Sequence, residues 1–283
     1  MKTIGLILPD LPDIEGSVYF SNIITGVKQG TDACGYVYKT LLLQDGKSYD
    51  NYDFRFREGV DGLIINSWRR FFCDHAFVKR IGLPCAVIND FDENISAYHV
   101  YEDSFSGGIQ AARYFLAHGH KDMAVITGPE WSRDGQQRYA GFLSELSKTG
   151  LKAVSAMGDY DDKKKTIAAF HAVRDMRPEV SALFCCNDKM ALWLMEYCLD
   201  NNLRCPQDIS LIGYDDMPAC VNAAAPLTSI RVPVERLSFF AVEGIAEYYR
   251  REPAAVSLTG QKKVPVALIP RKSVFKKVGD KGL

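Results

Sequence analysis

The chain lacks the marks of a nucleic-acid-binding, membrane or secreted protein. Charge is balanced: 34 Lys and Arg against 35 Asp and Glu leave a net charge of −1 over 283 residues. A surface that reads DNA or RNA would show as a basic excess. No apolar run approaches the ~18 residues of a membrane helix. The opening run in MKTIGLILPDLPD is short, is cut by Pro9 and leads to no small-residue cleavage site, which argues against a secretory signal. The eight cysteines (Cys34, Cys73, Cys85, Cys185, Cys186, Cys198, Cys205 and Cys220) show neither metal-ligand nor CxxC spacing. The apolar setting of Cys185 and Cys186, in ALFCCND, fits free thiols in a reducing cytoplasm. Catalytic signatures are missing as well. No GxGxxG follows a strand, and there is no GxSxG, HExxH or convincing Cys/His pair. Gly46-Lys47-Ser48 resembles the end of a phosphate-binding loop, but Leu41 stands where its first glycine belongs.

What is present is a regular alternation. Hydrophobic content of 47% and charged content of 24% are those of a soluble globular chain, long enough for one large domain or two ordinary ones. Nearly continuous apolar runs at 3–9, 37–43, 60–65, 84–88, 122–127, 181–186 and 209–213 read as strands covered on both faces. Helix-like stretches lie between and after them, at 19–34, 70–81, 104–118, 135–149, 163–176, 188–201 and 235–251. Alternating β and α units predict an α/β fold with a doubly wound parallel sheet. Lys2–Pro9 and Lys121–Pro129 each open a βα series with a strand and a Pro-containing loop, a weak hint of duplication. No Gly/Ser- or Pro-rich linker divides the halves.

The most informative stretch is 205–233, CPQDISLIGYDDMPACVNAAAPLTSIRVP. The apolar run Ile209–Ile212 ends in Gly213-Tyr214-Asp215-Asp216, a strand handing over to a loop with two carboxylates at its tip. In open α/β sheets ligands bind at the carboxyl ends of strands, so a carboxylate there is placed to accept hydrogen bonds from hydroxyls or amines. This stretch resembles the lactose-repressor (LacI/GalR) family. So do TIGLILPD, VDGLIIN, LPCAVIND, EDSFSGGIQAARYFLAHGHKDMAVITGP, RYAGF, ALFCCNDKMAL and PVALIPRKS, in that order along essentially the whole chain.

The resemblance implies two Rossmann-like lobes of the periplasmic-binding-protein type, with an effector in the cleft between them. The first lobe would be 1–100 plus 234–263 and the second 101–233 plus 264–283, with three crossings of the chain. It implies a homodimer, to which the small-residue stretch 217–225 would contribute. Family members carry a helix-turn-helix headpiece before the first sensor strand. Here that strand starts at Thr3, so the expectation is a sensor core that reaches DNA only through a headpiece missing from this chain.

Candidate effector contacts follow residue by residue. Asn66 and Asn89 end strands, where an amide offers both donor and acceptor; the family points the first into the cleft, and the alternative for each is an Asx turn. Arg138 opens a helix in RYAGF, where a cation meets a mild dipole penalty. Family members use this arginine to bind effector oxygens, which its planar fork suits; the alternative is a surface ion pair. Ser132 and Asp134 align with effector contacts in purine-binding relatives. Of Asn187 and Asp188, either could cap the following helix; the family places the first on the ligand and the second in support. Asp215 is the leading ligand residue, and Asp216 is expected to satisfy backbone groups in the turn. Tyr160, Phe20 and Trp68 could offer flat apolar faces to a sugar ring or base, or could be ordinary packing. His118 and His120 flank Gly119, which reads as a helix end, and they lack a third metal ligand.

The expected function is therefore effector sensing by a cytoplasmic transcription regulator, with no cofactor, no metal and no catalysis. The effector would be a sugar or sugar derivative, with a purine as the alternative. A periplasmic solute-binding protein of the same fold is the competing reading, against which the absent signal and the unpaired cysteines count.

Overall fold

The alternation seen in the sequence sets the architecture. The computed structural model describes residues 1–10, 17–44, 58–66, 75–251 and 258–277. In chain order the elements are β1 (Thr3–Asp10), α1 (Val18–Cys34), β2 (Val37–Gln44), β3 (Gly62–Asn66), α2 (His75–Ile81), β4 (Cys85–Ile88), β5 (Tyr98–Glu102), α3 (Ser104–Ala117), β6 (Met123–Thr127) and α4 (Arg133–Ser147). They continue with β7 (Val154–Met157), α5 (Lys163–Met176), β8 (Ala182–Cys185), α6 (Asp188–Asp200), β9 (Ser210–Asp215), β10 (Thr228–Arg231), α7 (Val234–Arg250), β11 (Gly260–Val264) and β12 (Ala267–Ile269). The part of the expected helix 70–81 that precedes His75 lies outside the described residues.

Two units share these elements: Met1–Glu102 with Pro233–Val264, and Asp103–Val232 with Pro265–Leu283. Their sheets have matching orders, β11-β5-β4-β3-β1-β2 in the first and β12-β10-β9-β8-β6-β7 in the second. All described pairings are parallel except β10 with β12, which is antiparallel. In each sheet the chain reverses direction around one strand, between β1 and β3 and between β6 and β8. Such switch points leave a crevice at the carboxyl ends of the strands.

The cores follow from burial on both faces. Every residue of β3, β4 and β8 is buried, and Ile7, Leu63, Ile65, Phe77 and Val87 belong to one apolar cluster of the first unit. In the second unit Phe142 of α4 stacks on Phe184 of β8, with ring centroids 5.4 Å apart and planes 11° apart. The helices α3 and α4 cross closely because glycines face each helix. A Cβ on Gly108 would fall 1.9 Å from the Arg138 carbonyl oxygen, and one on Gly141 2.0 Å from that of Phe105. This contact fixes where α4, and hence Arg138, sits against the sheet.

Among the described residues no helix is long and apolar enough to cross a membrane. Seven cysteines are free thiols; Cys73 lies outside the described residues.

Candidate effector site

In the first unit the site is assembled by a tyrosine. Asn66 is the last residue of β3 and is 1% exposed. Asn89 follows β4 with φ 58°, a left-handed conformation that asparagine adopts more readily than most residues. Its backbone N–H is tied to the Val100 carbonyl at 2.9 Å. The hydroxyl of Tyr19, in the first turn of α1, donates to Asn66 Oδ1 at 3.1 Å and accepts from Asn89 Nδ2 at 2.6 Å. Both strand-end amides therefore bond to one side chain. Phe20 meets the Tyr19 ring edge-on, centroids 5.3 Å apart. Trp68 lies outside the described residues. His99 shapes the neighbouring loop, with its ring nitrogens on the carbonyls of Asp90 and Ile95 at 3.2 and 3.3 Å.

In the second unit Arg138 is the central group. It does not open its helix: α4 starts at Arg133, and Ser132 caps it by accepting from the Gly135 N–H at 3.0 Å. Arg138 thus sits in the second turn, where the dipole penalty invoked from sequence has faded. Its side chain is buried rather than on the surface, 8% exposed. Nη1 donates to the Cys186 carbonyl at 2.6 Å, and the guanidinium lies 3.7 Å from the centroid of the Tyr214 ring. Nη2 is 3.8 Å from Oδ1 of Asp215, whose side chain is 32% exposed. The planar fork is held on one face by an aromatic ring and at one end by a carbonyl. The Cys186 thiol beside it is no nucleophile, since burial pushes it up to about 12.

The two carboxylates of the GYDD motif have separate partners. Asp215 is the last residue of β9 with φ 112°, and Asp216 follows with φ 59°. Consecutive positive φ values off glycine are strained and persist only where neighbours enforce them. The enforcement is visible. Asp216 does not satisfy turn backbone as expected from sequence: its Oδ2 accepts from Arg231 Nε at 2.7 Å and its Oδ1 from Arg271 Nη2 at 2.6 Å. Two guanidinium groups within reach form stronger, charge-assisted bonds than backbone N–H groups could. The Asp216 N–H donates to Ser229 Oγ at 3.1 Å, and Ser229 Oγ donates to Asp188 Oδ1 at 2.6 Å. Asp188 Oδ2 accepts from the Met217 N–H at 2.7 Å.

Asp188 is fully buried. Desolvation lifts its carboxyl to about 6, opposed by the hydrogen bonds from Ser229 and Met217. It lies over Gly213, where an added Cβ would come 2.1 Å from Oδ1. Asn187 is the N-cap of α6, its Oδ1 accepting from the Met190 N–H at 2.8 Å.

The remaining candidates gather at the start of α4. Tyr160 donates to or accepts from Ser132 Oγ at 2.9 Å and meets the Trp131 ring edge-on at 5.9 Å. Its hydroxyl occupies the place of a side chain at position 128, 2.1 Å from where a Gly128 Cβ would be. Burial raises its phenol pKa. Asp134 is the acidic residue of the first turn of α4, where a negative charge complements the helix end. His120 is structural: buried, it places Nε2 2.9 Å from the Phe275 carbonyl and Nδ1 3.2 Å from Ser181 Oγ.

The structure therefore brings together Asn66 with Asn89, Arg138 with Asp215, and Ser132 with Tyr160. The sequence reading missed Tyr19, although its place next to Phe20 at a helix start was a usable signal. It also left out Arg231 and Arg271, whose partner is far away in sequence.

A family model described as periplasmic binding protein-like domain matches residues 112–274. The probable HTH-type transcriptional repressor ExuR of Bacillus subtilis is 29% identical over 243 residues, 83% of this chain and 71% of its own length. The HTH-type transcriptional repressor PurR of Pectobacterium carotovorum is 30% identical over 291 residues, 96% of this chain and 80% of its own. The chain belongs to the LacI/GalR family of transcriptional regulators. Solved transcriptional regulators share its fold. The CelR–cellobiose complex has a TM-score of 0.83 at 22% identity, covering 96% of this chain and 84% of that one. A LacI-family regulator of Enterococcus faecium with bound ribose has a TM-score of 0.78 at 22% identity, covering 98% and 100%.

Proposed function

We propose that this LacI/GalR chain is a non-enzymatic, cytoplasmic effector sensor that works as a homodimer and takes a sugar or sugar derivative as its ligand. DNA would be contacted through a headpiece, not through the two units described. The observation that carries the reading is the Arg138–Asp215 pair at the carboxyl end of the second sheet: a buried, stacked cation 3.8 Å from a partly exposed carboxylate. Cation and anion at this spacing supply fixed donors and acceptors for neighbouring hydroxyls without any group poised for covalent chemistry. Asn66, Asn89 and Phe20 offer amide and aromatic surface at the corresponding edge of the first sheet. Ser132, Asp134, Tyr160 and Asn187 shape the second through the helix starts they cap or pack against. Trp68, two residues beyond Asn66 in the sequence, would add an aromatic contact.

A thermal-shift panel of sugars, sugar phosphates, polyols and purines tests the reading. A ligand at about 100 times its Kd adds about 2.7 kcal/mol, a midpoint rise of several degrees for a chain of this size. A sugar hit that Asp215→Ala abolishes supports the proposal. A purine hit transfers the assignment to the alternative effector class, and steady turnover of any hit would overturn the non-enzymatic reading.

A further inference from the structure

The Tyr19 hydroxyl carries a single proton, and the geometry assigns that proton to Asn66 Oδ1. At Asn89 the same oxygen can then only accept, so it must face the amide nitrogen, as the 2.6 Å contact with Nδ2 has it. An amide held by its nitrogen turns its oxygen away. The Asn89 backbone is fixed too, by its left-handed φ and by the bond to Val100. Asn89 Oδ1 is consequently a positioned acceptor. It is buried and has no hydrogen-bond partner among the described residues. Buried acceptors are satisfied in folded proteins almost without exception, so one left over calls for a donor from elsewhere.

We infer that Tyr19 is a positioning residue that sets the polarity of the first unit's site: by holding the Asn89 amide at Nδ2 it presents Oδ1 as a fixed acceptor, which selects a ligand group bearing an O–H or N–H at that point. A sugar hydroxyl satisfies this demand. An ether oxygen, a carboxylate, a phosphate or a carbon-bound fluorine at the same point does not, since each would set one acceptor against another. The inference rests on the effector reading above and sharpens it to a ligand that donates a hydrogen bond here.

Two measurements keep this inference and the effector reading apart. The first needs no ligand. In the free chain with 15N-labelled asparagine side chains, the Asn89 Nδ2 protons should exchange with solvent about tenfold more slowly than those of exposed Asn222. Tyr19→Phe should abolish that protection in a chain that still unfolds cooperatively. Unprotected Asn89 protons in the native chain, or protection that survives Tyr19→Phe, would overturn the assigned polarity. The second uses D-galactose, D-glucose, D-ribose and D-xylose, each with its monodeoxyfluoro analogues, in titration calorimetry. Fluorine accepts weakly and cannot donate. For the sugar that binds, one analogue should lose about tenfold or more in affinity on the native chain. The discrimination should fall below about threefold on Tyr19→Phe. Equal discrimination in both proteins would refute the positioning role. A panel with no binder counts against the sugar reading and leaves the exchange experiment to decide the amide.

Discussion

Arg138 Nη2 and Asp215 Oδ1 are 3.8 Å apart, beyond a good hydrogen bond yet well within Coulombic reach. The arginine's firm partners are instead the Cys186 carbonyl and the Tyr214 ring. The guanidinium therefore balances the Asp215 charge from a distance rather than capping its oxygen. Arg138→Ala removes the balancing charge, and Arg138→Lys removes the stacked plane. Both should weaken effector binding about tenfold or more, as each charged hydrogen bond contributes about 1.5–3 kcal/mol. Calorimetry with the panel hit checks this; a lysine variant with native affinity would show that the planar fork is not used.

The Asp215–Asp216 turn is held in positive φ by groups that need never touch the ligand. Asp188→Ala leaves Ser229 Oγ and the Met217 N–H without their acceptor, at a cost of about 1–3 kcal/mol. Gly213→Ala drives a methyl into the same carboxylate. Both variants should lower Tm by several degrees and weaken effector binding. Asp188→Asn keeps one acceptor oxygen and should lie between native and alanine in both readouts. Native affinity in a folded Gly213→Ala variant would disconnect this turn from the site.

Gly108→Ala should be among the most damaging single-methyl changes in the second unit. Its Cβ would stand 1.9 Å from the backbone oxygen of Arg138, which no side-chain rotation can relieve. Overpacking of this kind costs roughly 1–3 kcal/mol or more. Urea unfolding measures the loss. An Arg138 displaced with its helix should also reduce affinity for the effector.

Acid should act on two buried groups in opposite senses. Desolvation lowers His120 to about 4 from 6.5. Between these values the unfolded chain binds the proton and the folded one does not, so this contribution is complete above pH 6.5 and is lost as pH falls towards 4. Asp188 is raised from 3.8 to about 6. There the folded chain holds the proton, so stability from this group increases as pH falls through that range. Urea midpoints between pH 7.5 and 4.5 should therefore fall less steeply in His120→Gln than in the native chain, and more steeply in Asp188→Asn. Parallel profiles in all three proteins would contradict both assignments.

Much of the fold was legible because strands buried on both faces advertise themselves. CAVI and ALFC are apolar from end to end and GLIIN is apolar up to its terminal asparagine, and each is a strand within a residue or two of its expected limits. The strands that escaped notice are β5, β7, β10, β11 and β12, which mix polar residues into YHVYE, VSAM, TSIR, GQKKV and ALI or are too short to carry a pattern. Edge strands such as β11, largely exposed, need no apolar run. At the site, strand-end residues could be nominated from position alone: Asn66, Asn89 and Asp215. What could not be read was which neighbour each would meet. Nothing local to GYDD says that Asp216 will find Arg271, fifty-five positions later, or that Tyr19 will join two asparagines from different strands.

Neither unit is contiguous. The first needs β11 to pair with β5 and α7 to lie against α1; the second needs β12 beside β10 and Ser273 Oγ on the Leu211 carbonyl at 2.6 Å. On the ribosome, therefore, the amino-terminal half cannot finish before the carboxyl-terminal half has begun. Through most of synthesis both sheets wait with an uncovered edge, and both are completed only as residues 233–277 emerge. A premature stop between 233 and 264 would leave two unfinished units, and one between 265 and 277 would still leave the second incomplete.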